Sequence, residues 1–360
     1  MDRYRIAVID GDGIGPEIMR EALLVLDKTA GIYGFGLEYE HVAAGGAAID
    51  AFGEPLPQRT LDICRNADSV LLSAVGGPKW DGTTGNKRPE RALLGLRSGL
   101  GLFVNLRPAT LWKPLREACP LKDERTAYGI DLVVVRELTG GIYFGNRGRR
   151  MNEAHDCMEA FDEEAYAVYE VERICRKAFA LAEKRRRRVT SVDKANVLES
   201  SRLWRETFHR VAKDYPHIAT DDMFVDNASM QLVLDPSHFD VIVTSNLFGD
   251  ILSDEAGAIT GSIGMLPSAS IGAGTAGMYE PVHGSAPELA GKSIANPLAM
   301  IGSAAMMLRY SLGERNAADA IDKAIARSLD EGARTKDIAR AGERVLTTDE
   351  MGSVVRSFIK

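Results

Sequence analysis

The feature that most constrains the fold is an alternation of strand-like and helix-like segments that starts near the first residue. Residues 5–10 form an extended, β-branched run, and residues 16–30 carry apolar side chains at helical spacing, at Ile18, Ala22 and Leu26. Pro16 suits the first turn of that helix, where no N–H is needed. Such alternation predicts an α/β fold with a largely parallel sheet covered by helices.

The same pattern continues along the chain. Residues 140–156, rich in Gly, Arg and Asn, separate two clearer elements and fit a projecting arm or hairpin, although the pattern alone does not establish one. Further strands are predicted at 37–42, 69–75, 131–136, 189–192 and 241–244, and further helices at 57–66, 164–183, 200–211, 251–257, 297–310 and 317–329.

Composition and charge disfavour several classes of protein. The 360 residues include 44 Lys and Arg against 51 Asp and Glu, and the net charge of −7 favours neither nucleic-acid binding nor attachment to an anionic membrane. No apolar run approaches the roughly 20 residues that span a bilayer or forms a signal-peptide core. The four cysteines share no C-x-x-C spacing. We therefore expect a cytoplasmic protein with reduced, mostly buried thiols that acts on a small molecule.

Two glycine-rich segments look like phosphate-binding loops but fail their requirements. Residues 11–16 read Gly-Asp-Gly-Ile-Gly-Pro, and Pro16 stands where a dinucleotide fingerprint needs Gly or Ala. Residues 272–277 match G-x-G-x-x-G, but Pro281 argues against a helix beginning there. We interpret the first segment as a tight, exposed turn at the carboxyl end of a strand.

The most informative segment for chemistry is 244–255. Asp250 and Asp254 are four residues apart near the start of a predicted helix, so their side chains face one side. A cation between them would relieve their repulsion, and oxygen ligands favour Mg²⁺ or Mn²⁺; the alternative is a solvated acidic turn stabilised by the helix dipole. Asp226 lies among apolar and small residues, where an unpaired carboxylate is costly, and is a candidate third ligand.

Several basic residues are candidates for binding a dianion or a proton. Arg97, Arg107 and Arg136 could hold carboxylates bidentately, although nothing in their spacing forces them to converge. Lys194, just past a predicted strand, could be a general base or an ordinary exposed lysine. The basic run 184–188 follows a predicted helix end and is interpreted as a solvated face; an RNA-binding protein that uses it is the rival function.

Three blocks carry the most specific pattern: residues 136–145 (RELTGGIYFG), 246–255 (NLFGDILSDE) and 280–287 (EPVHGSAP). Together they resemble the β-decarboxylating dehydrogenases, the family of isocitrate and 3-isopropylmalate dehydrogenases. The resemblance extends from residues 11–17 to 296–297 and implies the family's two-domain α/β/α fold instead of a standard Rossmann fold. It implies a first domain of residues 1–106 plus 261–360, a second of 107–260, and a dimerisation arm at about 140–160.

The resemblance also implies a homodimer whose active site is shared between subunits. Lys194 of the partner subunit would be the general base on the C2 hydroxyl of a 2-hydroxy diacid, and Tyr143 would protonate the enol carbon after loss of carbon dioxide. The malate carboxylates would be bound by Arg97, Arg107 and Arg136. Mg²⁺ or Mn²⁺ would be held by Asp250 and Asp254 together with Asp226 of the partner subunit, which would also lie near the substrate.

Substrate choice within the family turns on Glu90, Leu93 and Leu94. Isocitrate enzymes have small hydroxyl and amide side chains there, whereas the two leucines, with Val197 of the partner subunit, would form an apolar pocket for an isopropyl group. The resemblance therefore implies (2R,3S)-3-isopropylmalate as substrate and 4-methyl-2-oxopentanoate as product, in leucine biosynthesis. Malate, tartrate and homoisocitrate are the alternatives.

Cofactor choice follows from Glu288, whose carboxylate would accept hydrogen bonds from an adenosine ribose and repel a 2′-phosphate. NAD is therefore expected instead of NADP. Many relatives carry Asp and Ile where this chain has Glu288 and Leu289. The other residues implied at the cofactor are Ile14, Asn196, Glu280, His283, Gly284, Ser285, Ala286, Pro287, Leu289 and Asn296.

Overall fold

The computed structural model describes residues 2–83 and 87–360, which form twelve strands and eleven α-helices. The strands are β1 (Arg3–Ile9), β2 (Gly36–His41), β3 (Ser69–Leu72), β4 (Val104–Thr110), β5 (Asp131–Glu137), β6 (Arg147–Asn152), β7 (Cys157–Asp162), β8 (Arg188–Asp193), β9 (Ala219–Phe224), β10 (Val241–Thr244), β11 (Pro267–Ile271) and β12 (Gly277–Pro281). The helices are α1 (Gly15–Tyr33), α2 (Gly46–Phe52), α3 (Gln58–Asn66), α4 (Glu90–Gly99), α5 (Val168–Ala182), α6 (Glu199–Ala212), α7 (Val225–Leu234), α8 (Asn246–Ile259), α9 (Leu298–Tyr310), α10 (Arg315–Asp330) and α11 (Thr348–Phe358).

The chain divides into two compact units. Unit 1 comprises the described residues up to 102 together with 111–120 and 257–360. Its strands lie in the order β2-β1-β3-β12-β11, parallel except for the pair β11 and β12. Apolar side chains of β1 and β3 pack with Ala92 and Leu96 of α4, while α9 is buried along nearly its whole length. The uniform burial explains why α9 carries so few polar residues.

Unit 2 comprises residues 103–110 and 121–256. Its strands lie in the order β4-β5-β10-β8-β9, with β4 antiparallel to β5 and the others parallel. Helix α5 packs on β5, β8 and β10, and α6 packs on β8. A separate antiparallel pair, β6 and β7, forms the hairpin that residues 140–156 suggested, with Met151 opposite Met158. The α/β class with a largely parallel sheet is thus confirmed.

Two predicted helix starts are wrong. The helix predicted at 164–183 begins at Val168, because Ala167 still has extended backbone. The helix predicted at 251–257 begins earlier, at Asn246, and continues to Ile259. Asp250 therefore lies on the second turn of α8 and not at its start.

The glycine turn after β1 is also different from its prediction. Gly11 and Gly13 have φ of +76° and +60°, as a tight turn requires, but Asp12 and Ile14 are buried instead of exposed. The reason is that neighbouring backbone covers the turn. The Asp12 N–H donates to the Ala74 carbonyl, and the Ile14 N–H donates to the Ser285 carbonyl, each at 2.8 Å.

Four of the five residues in the basic run 184–188 are exposed, as expected of a solvated face, and Arg185 is half-buried. Arg185 forms ion pairs of 2.8 Å with both Asp131 and Asp240. Arg186 donates to the carbonyl of Phe239 at 2.6 Å. These arginines therefore fasten the loop before β8 to the ends of neighbouring strands, which leaves them little capacity to bind RNA.

The thiols and the surface were predicted only in part. All four cysteines are free, but only Cys64 and Cys175 are buried; Cys119 is half-buried and Cys157 is exposed. In the described part of the chain, no helix is both long enough and apolar enough to cross a membrane.

Candidate active site

Charged and phenolic groups of unit 2 meet at the carboxylate of Asp250 on α8. Arg136, at the end of β5, donates through Nη1 to Oδ1, and the Tyr143 hydroxyl donates to Oδ2 at 2.9 Å. Nη1 of Arg107, on β4, lies 3.4 Å from Asp250 Oδ1 and 3.0 Å from Asp254 Oδ1. Two guanidinium groups thus face two carboxylates one helical turn apart.

Strand pairing explains how the two arginines reach the same place. Asn105 of β4 lies opposite Arg136 of β5, and Arg107 follows Asn105 by two residues, so its side chain leaves the same face of the sheet. Nε of Arg107 donates to Asn105 Oδ1 at 2.8 Å, which fixes the guanidinium. Strand β10 pairs with β5 and runs directly into α8, which brings Asp250 to both arginines.

The environment shifts two of these groups toward their protonated forms. Burial, together with the charge of Asp250, raises the pKa of Asp254 against the opposing effect of Arg107 and Arg136. Burial, then the hydrogen bond to Asp250 and its charge, raises the pKa of Tyr143. The phenol therefore holds its proton at neutral pH and can serve as a donor.

Lys194 and Asp226 form a second pair in unit 2. Lys194 lies just past β8, and its Nζ donates to Asp226 Oδ1 at 2.6 Å. Asp226, the second residue of α7, has a side chain 63% exposed, so the expectation that it lies in an apolar setting is wrong. The hydrogen bond from Lys194 lowers the pKa of Asp226 and keeps the carboxylate ionised.

The three predicted metal ligands do not meet within one chain. Within residues 2–83 and 87–360, no cluster of three or more His, Cys, Asp or Glu side chains is arranged to hold a metal ion. Asp250 and Asp254 both form ion pairs with Arg107, whereas Asp226 forms an ion pair with Lys194.

In unit 1, Arg97 and Glu280 form a buried ion pair. Nη2 of Arg97 lies 3.1 Å from Glu280 Oε1, and the two side chains are only 7% and 11% exposed. Arg97 lies on the last turn of α4, and Leu93 and Leu94, on the preceding turn, are half-buried. Leu93 also packs against the apolar cluster of unit 1, so it contributes to the core as well.

The segment 283–289 contains most of the residues predicted for the cofactor. Nδ1 of His283 lies 3.0 Å from the Gly284 carbonyl, and burial lowers the pKa of the ring, so the neutral ring with Nδ1 as donor fits. Its Nε2 is then a buried acceptor without a partner among the described residues. Ser285 contacts Ile14 and Gly76, whereas Glu288 is exposed on a short 3₁₀ helix.

Other residues predicted for the site have different surroundings. Asn296 is buried, and its amide donates to Asp337 at 3.0 Å while its oxygen accepts from the Leu298 N–H, so it stabilises the start of α9. Asn196 and Val197 are exposed, and so is Glu90. Of the remaining predicted positions, Ala286 and Leu289 are half-buried and Gly284 and Pro287 are exposed.

Comparison with known proteins identifies the family. Residues 5–355 match the family described as isocitrate/isopropylmalate dehydrogenase. The chain belongs to this family. A 3-isopropylmalate dehydrogenase of Clostridium acetobutylicum is 58% identical over 355 residues and is covered to 99%, as is this chain. One of Escherichia coli O157:H7 is 53% identical over 358 residues, with 99% of this chain and 98% of that protein covered.

Solved structures agree with the family assignment. The crystal structure of isocitrate dehydrogenase from Methylococcus capsulatus superposes with a TM-score of 0.87 at 36% identity and 99% coverage of both chains. A β-decarboxylating dehydrogenase from Thermococcus kodakarensis gives a TM-score of 0.80 at 35% identity, with 99% of this chain and 96% of that chain covered. The resemblance inferred from sequence motifs is therefore confirmed.

One residue that supports the site in this family member has no role predicted from its sequence. Asn246, 1% exposed at the start of α8, accepts from Nε and Nη2 of Arg136 at 3.1 and 2.9 Å. Its amide donates to the Gly140 carbonyl, at the start of the turn that carries Tyr143. Asn246 thus holds both Arg136 and that turn, and its place inside the 246–255 block was the only available signal.

Proposed function

We propose that this chain catalyses the NAD-dependent oxidative decarboxylation of (2R,3S)-3-isopropylmalate to 4-methyl-2-oxopentanoate, a step of leucine biosynthesis. The observation that carries the diacid chemistry is the group of arginines, phenol and carboxylates around Asp250. The choice of diacid is supported by relatives named 3-isopropylmalate dehydrogenase that are 53–58% identical over nearly the full length.

Charge balance favours a divalent cation that binds with a dianionic substrate. Arg107 and Arg136 already neutralise Asp250 and Asp254, so a dianion and a dication that arrive together leave the net charge unchanged. The donors are carboxylate oxygens, which suit Mg²⁺ or Mn²⁺. Asp250, Asp254 and Asp226 of the partner subunit would hold the cation, which when bound polarises the C2 oxygen and stabilises negative charge there.

The chain's own groups then bind the substrate and move protons. Arg97, Arg107 and Arg136 would clamp the carboxylates, and Lys194 of the partner subunit would take the proton of the C2 hydroxyl. NAD, when bound, accepts the hydride from C2. Tyr143, which keeps its proton because burial and Asp250 raise its pKa, would deliver a proton to the enol carbon after carbon dioxide leaves.

Three features of unit 1 fit NAD. The buried Nε2 of His283, without a partner among the described residues, is the kind of acceptor that a ligand hydroxyl satisfies. Gly284 is exposed, and a Cβ placed there would meet no atom of the described part of the chain within 4 Å. The exposed carboxylate of Glu288 would accept from a ribose hydroxyl and repel a 2′-phosphate, which favours NAD over NADP.

The half-exposed surfaces of Leu93 and Leu94 would contact the isopropyl group, with Val197 of the partner subunit. Burying such a group is worth roughly 1.5–3 kcal/mol. A third carboxylate in the same place would be unpaired and costly. This difference favours isopropylmalate over isocitrate and homoisocitrate.

A homodimer would supply what one chain lacks. Lys194 and Asp226, already paired in one chain, would both enter the partner's site. The hairpin of β6 and β7 exposes Met151, Met158 and Phe161 (54%, 60% and 38%), and an isolated two-stranded hairpin is only marginally stable. We propose this hairpin as the dimerisation arm and units 1 and 2 as the two domains of the subunit.

The reaction is tested by the absorbance of NADH formed from 3-isopropylmalate, NAD and Mg²⁺, beside isocitrate, malate and NADP, with and without EDTA. We expect turnover with isopropylmalate and NAD that EDTA abolishes and Mg²⁺ or Mn²⁺ restores. Preference for another acid would contradict the apolar pocket, and activity that survives EDTA would contradict the metal assignment.

The shared site is tested by mixing two inactive variants, Lys194→Ala and Asp250→Asn. If each site combines Asp250 of one subunit with Lys194 of the other, a mixed dimer regains one intact site, and random mixing restores about a quarter of the activity. Sites contained in single subunits would give no recovery. Light scattering reports the dimer in the same samples.

A further inference from the structure

The glycine-rich turn between β1 and α1 buries two side chains: Ile14, which the family resemblance implies at the cofactor, and Asp12, to which no role has been assigned. Asp12 is 6% exposed, and its carboxylate accepts three backbone N–H groups. Oδ2 accepts from Gly46 and Gly76, and Oδ1 accepts from Ala47, each at 2.8 Å. All three partners are donors, so this position requires a group that only accepts.

The same turn and the first turn of α1 contact the segment proposed to bind the cofactor, residues 283–293, called here the cofactor segment. Glu17, three residues after Ile14, accepts from the Gly291 N–H through Oε1 and from the Ser293 N–H through Oε2 at 3.1 Å. The Ile14 N–H donates to the Ser285 carbonyl. Ile14 and Glu17 therefore form hydrogen bonds with the cofactor segment near both of its ends.

Gly76 links Asp12 to that segment as well. Its N–H donates to Asp12 Oδ2, and its carbonyl accepts from the Ser285 hydroxyl at 2.7 Å. Gly13 packs so closely on Ser285 that a Cβ added to Gly13 would lie 2.0 Å from the Ser285 carbonyl oxygen. The motif that imitates a phosphate loop thus contacts the cofactor segment through its backbone, and the Asp12 side chain is linked to that segment through Gly76.

We propose that Asp12 and Glu17 are positioning residues for the cofactor, which fix the backbone of residues 283–293 in the conformation that binds NAD. The inference rests on the proposed function, which assigns NAD to this segment. A carboxylate can accept at both oxygens, whereas an amide would place its NH₂ against a backbone N–H. Replacing either carboxylate by its amide should loosen the segment, so that NAD binding must reorder it.

The test uses the full-length variants Asp12→Asn and Glu17→Gln. The matched controls are Asp10→Asn, whose exposed carboxylate has His41 as its recorded partner, and Glu38→Gln, which pairs with the exposed Arg3. We expect the dissociation constant of NADH, measured by fluorescence titration, and the KM for NAD to rise about tenfold in both variants. In Glu17→Gln the KM for isopropylmalate should change less than about twofold, since the Glu17 carboxylate accepts hydrogen bonds, among the described residues, from Gly291 and Ser293 of this segment only.

Amide hydrogen exchange supplies a readout that needs no cofactor. In Glu17→Gln, exchange in the peptide covering 289–294 should accelerate, while the controls match the parent protein. Unchanged NADH affinity and unchanged exchange, with only a lower unfolding temperature, would show a purely structural role and overturn the proposal. Glu17 is half-buried on the surface of α1, so Glu17→Gln carries the test even if Asp12→Asn does not fold. If the parent enzyme itself fails to use NAD, the proposed function fails, and the exchange data still decide whether Glu17 orders the segment.

Discussion

The Tyr143 hydroxyl donates to Oδ2 of Asp250 at 2.9 Å, so the proposed proton donor is hydrogen-bonded to a proposed metal ligand. Arg136 contacts the other oxygen of the same carboxylate. Any group that binds at Asp250 therefore changes the hydrogen bonding of Tyr143. Binding at Asp250 and proton donation by Tyr143 would therefore be coupled through the Asp250 carboxylate.

Replacing Tyr143 by Phe removes the proposed proton donor and retains the ring. Because positioned proton donors typically contribute a factor of about 100 or more, we expect kcat for isopropylmalate to fall by about 100-fold while the KM for NAD changes little. Steady-state kinetics measure both. Tyr128→Phe, at a position 90% exposed, is the control and should behave as the parent. A Tyr143→Phe enzyme with near-normal kcat would remove Tyr143 from the mechanism.

Replacing Leu94 by Ser makes the proposed isopropyl pocket polar. We expect kcat/KM for isopropylmalate to fall by about 10–200-fold, the range usual for one methylene in an apolar pocket, while any rate with malate, which lacks the isopropyl group, is unaffected. The control is Leu24→Ser on α1, where the leucine is 41% exposed. Equal losses on both acids would mean that Leu94 serves the fold and not the choice of substrate.

Alanine substitutions at Gly13 and Gly34 distinguish the cost of backbone strain from the cost of a steric clash. Gly13 and Gly34 both have positive φ, +60° and +80°, but a Cβ at Gly34 meets nothing within 4 Å, whereas one at Gly13 meets the Ser285 carbonyl. Gly34→Ala should lower the free energy of unfolding by about 1–2 kcal/mol, the cost of the left-handed conformation. Gly13→Ala should cost more and also raise the KM for NAD. Denaturant titration measures the first quantity, and similar losses in the two variants would contradict the close contact.

Thiol labelling tests the burial of Cys64. Burial, with the charge of Glu40, raises the pKa of Cys64 from 9.0 to about 12. Because the folded state favours the neutral thiol, its contribution to stability is complete below about pH 9 and is lost as the pH rises toward about 12. With iodoacetamide at about pH 8 and about pH 10, we expect Cys64 to react only after unfolding in guanidinium, with peptide mapping as the readout. Labelling of folded Cys64 as fast as the exposed Cys157 would show that this region opens readily.

Elements with strong local patterns could be predicted from the sequence. The strand at 241–244 is apolar except for Thr244 and is buried on both faces, and α9 is apolar along most of its length, so both have nearly the predicted bounds. Strands β9, β11 and β12 could not be found in this way. Strand β9, ATDDMF, is acidic because it lies at the end of the strand order, and β11 contains two serines whose burial depends on its neighbours.

The site divides in a similar way. The resemblance placed Asp250, Asp254, Arg107 and Arg136 in one site together with Arg97 and with Asp226 of the partner subunit, and the structure shows contacts among the first four. The exposure of Asp226 could not be predicted, because the apolar residues near it in sequence do not bury its face of α7: Ala228 is buried, but Met230, one helical turn from Asp226, is itself exposed. The buried Nε2 of His283 is likewise invisible in the sequence.

The sequence by itself determined the class of fold, the family and the candidate reacting groups, because periodicity and motifs are properties of neighbouring residues. Only the tertiary structure decided which of those groups touch. Arg107, Arg136 and Asp250 meet because β4, β5 and β10 pair side by side, and that pairing depends on burial between segments far apart in the chain. The glycine turn shows the same limit: its spacing suggested an exposed turn, whereas the structure buries Asp12, whose carboxylate accepts a hydrogen bond from Gly76, and Glu17 of α1 accepts from Gly291 and Ser293.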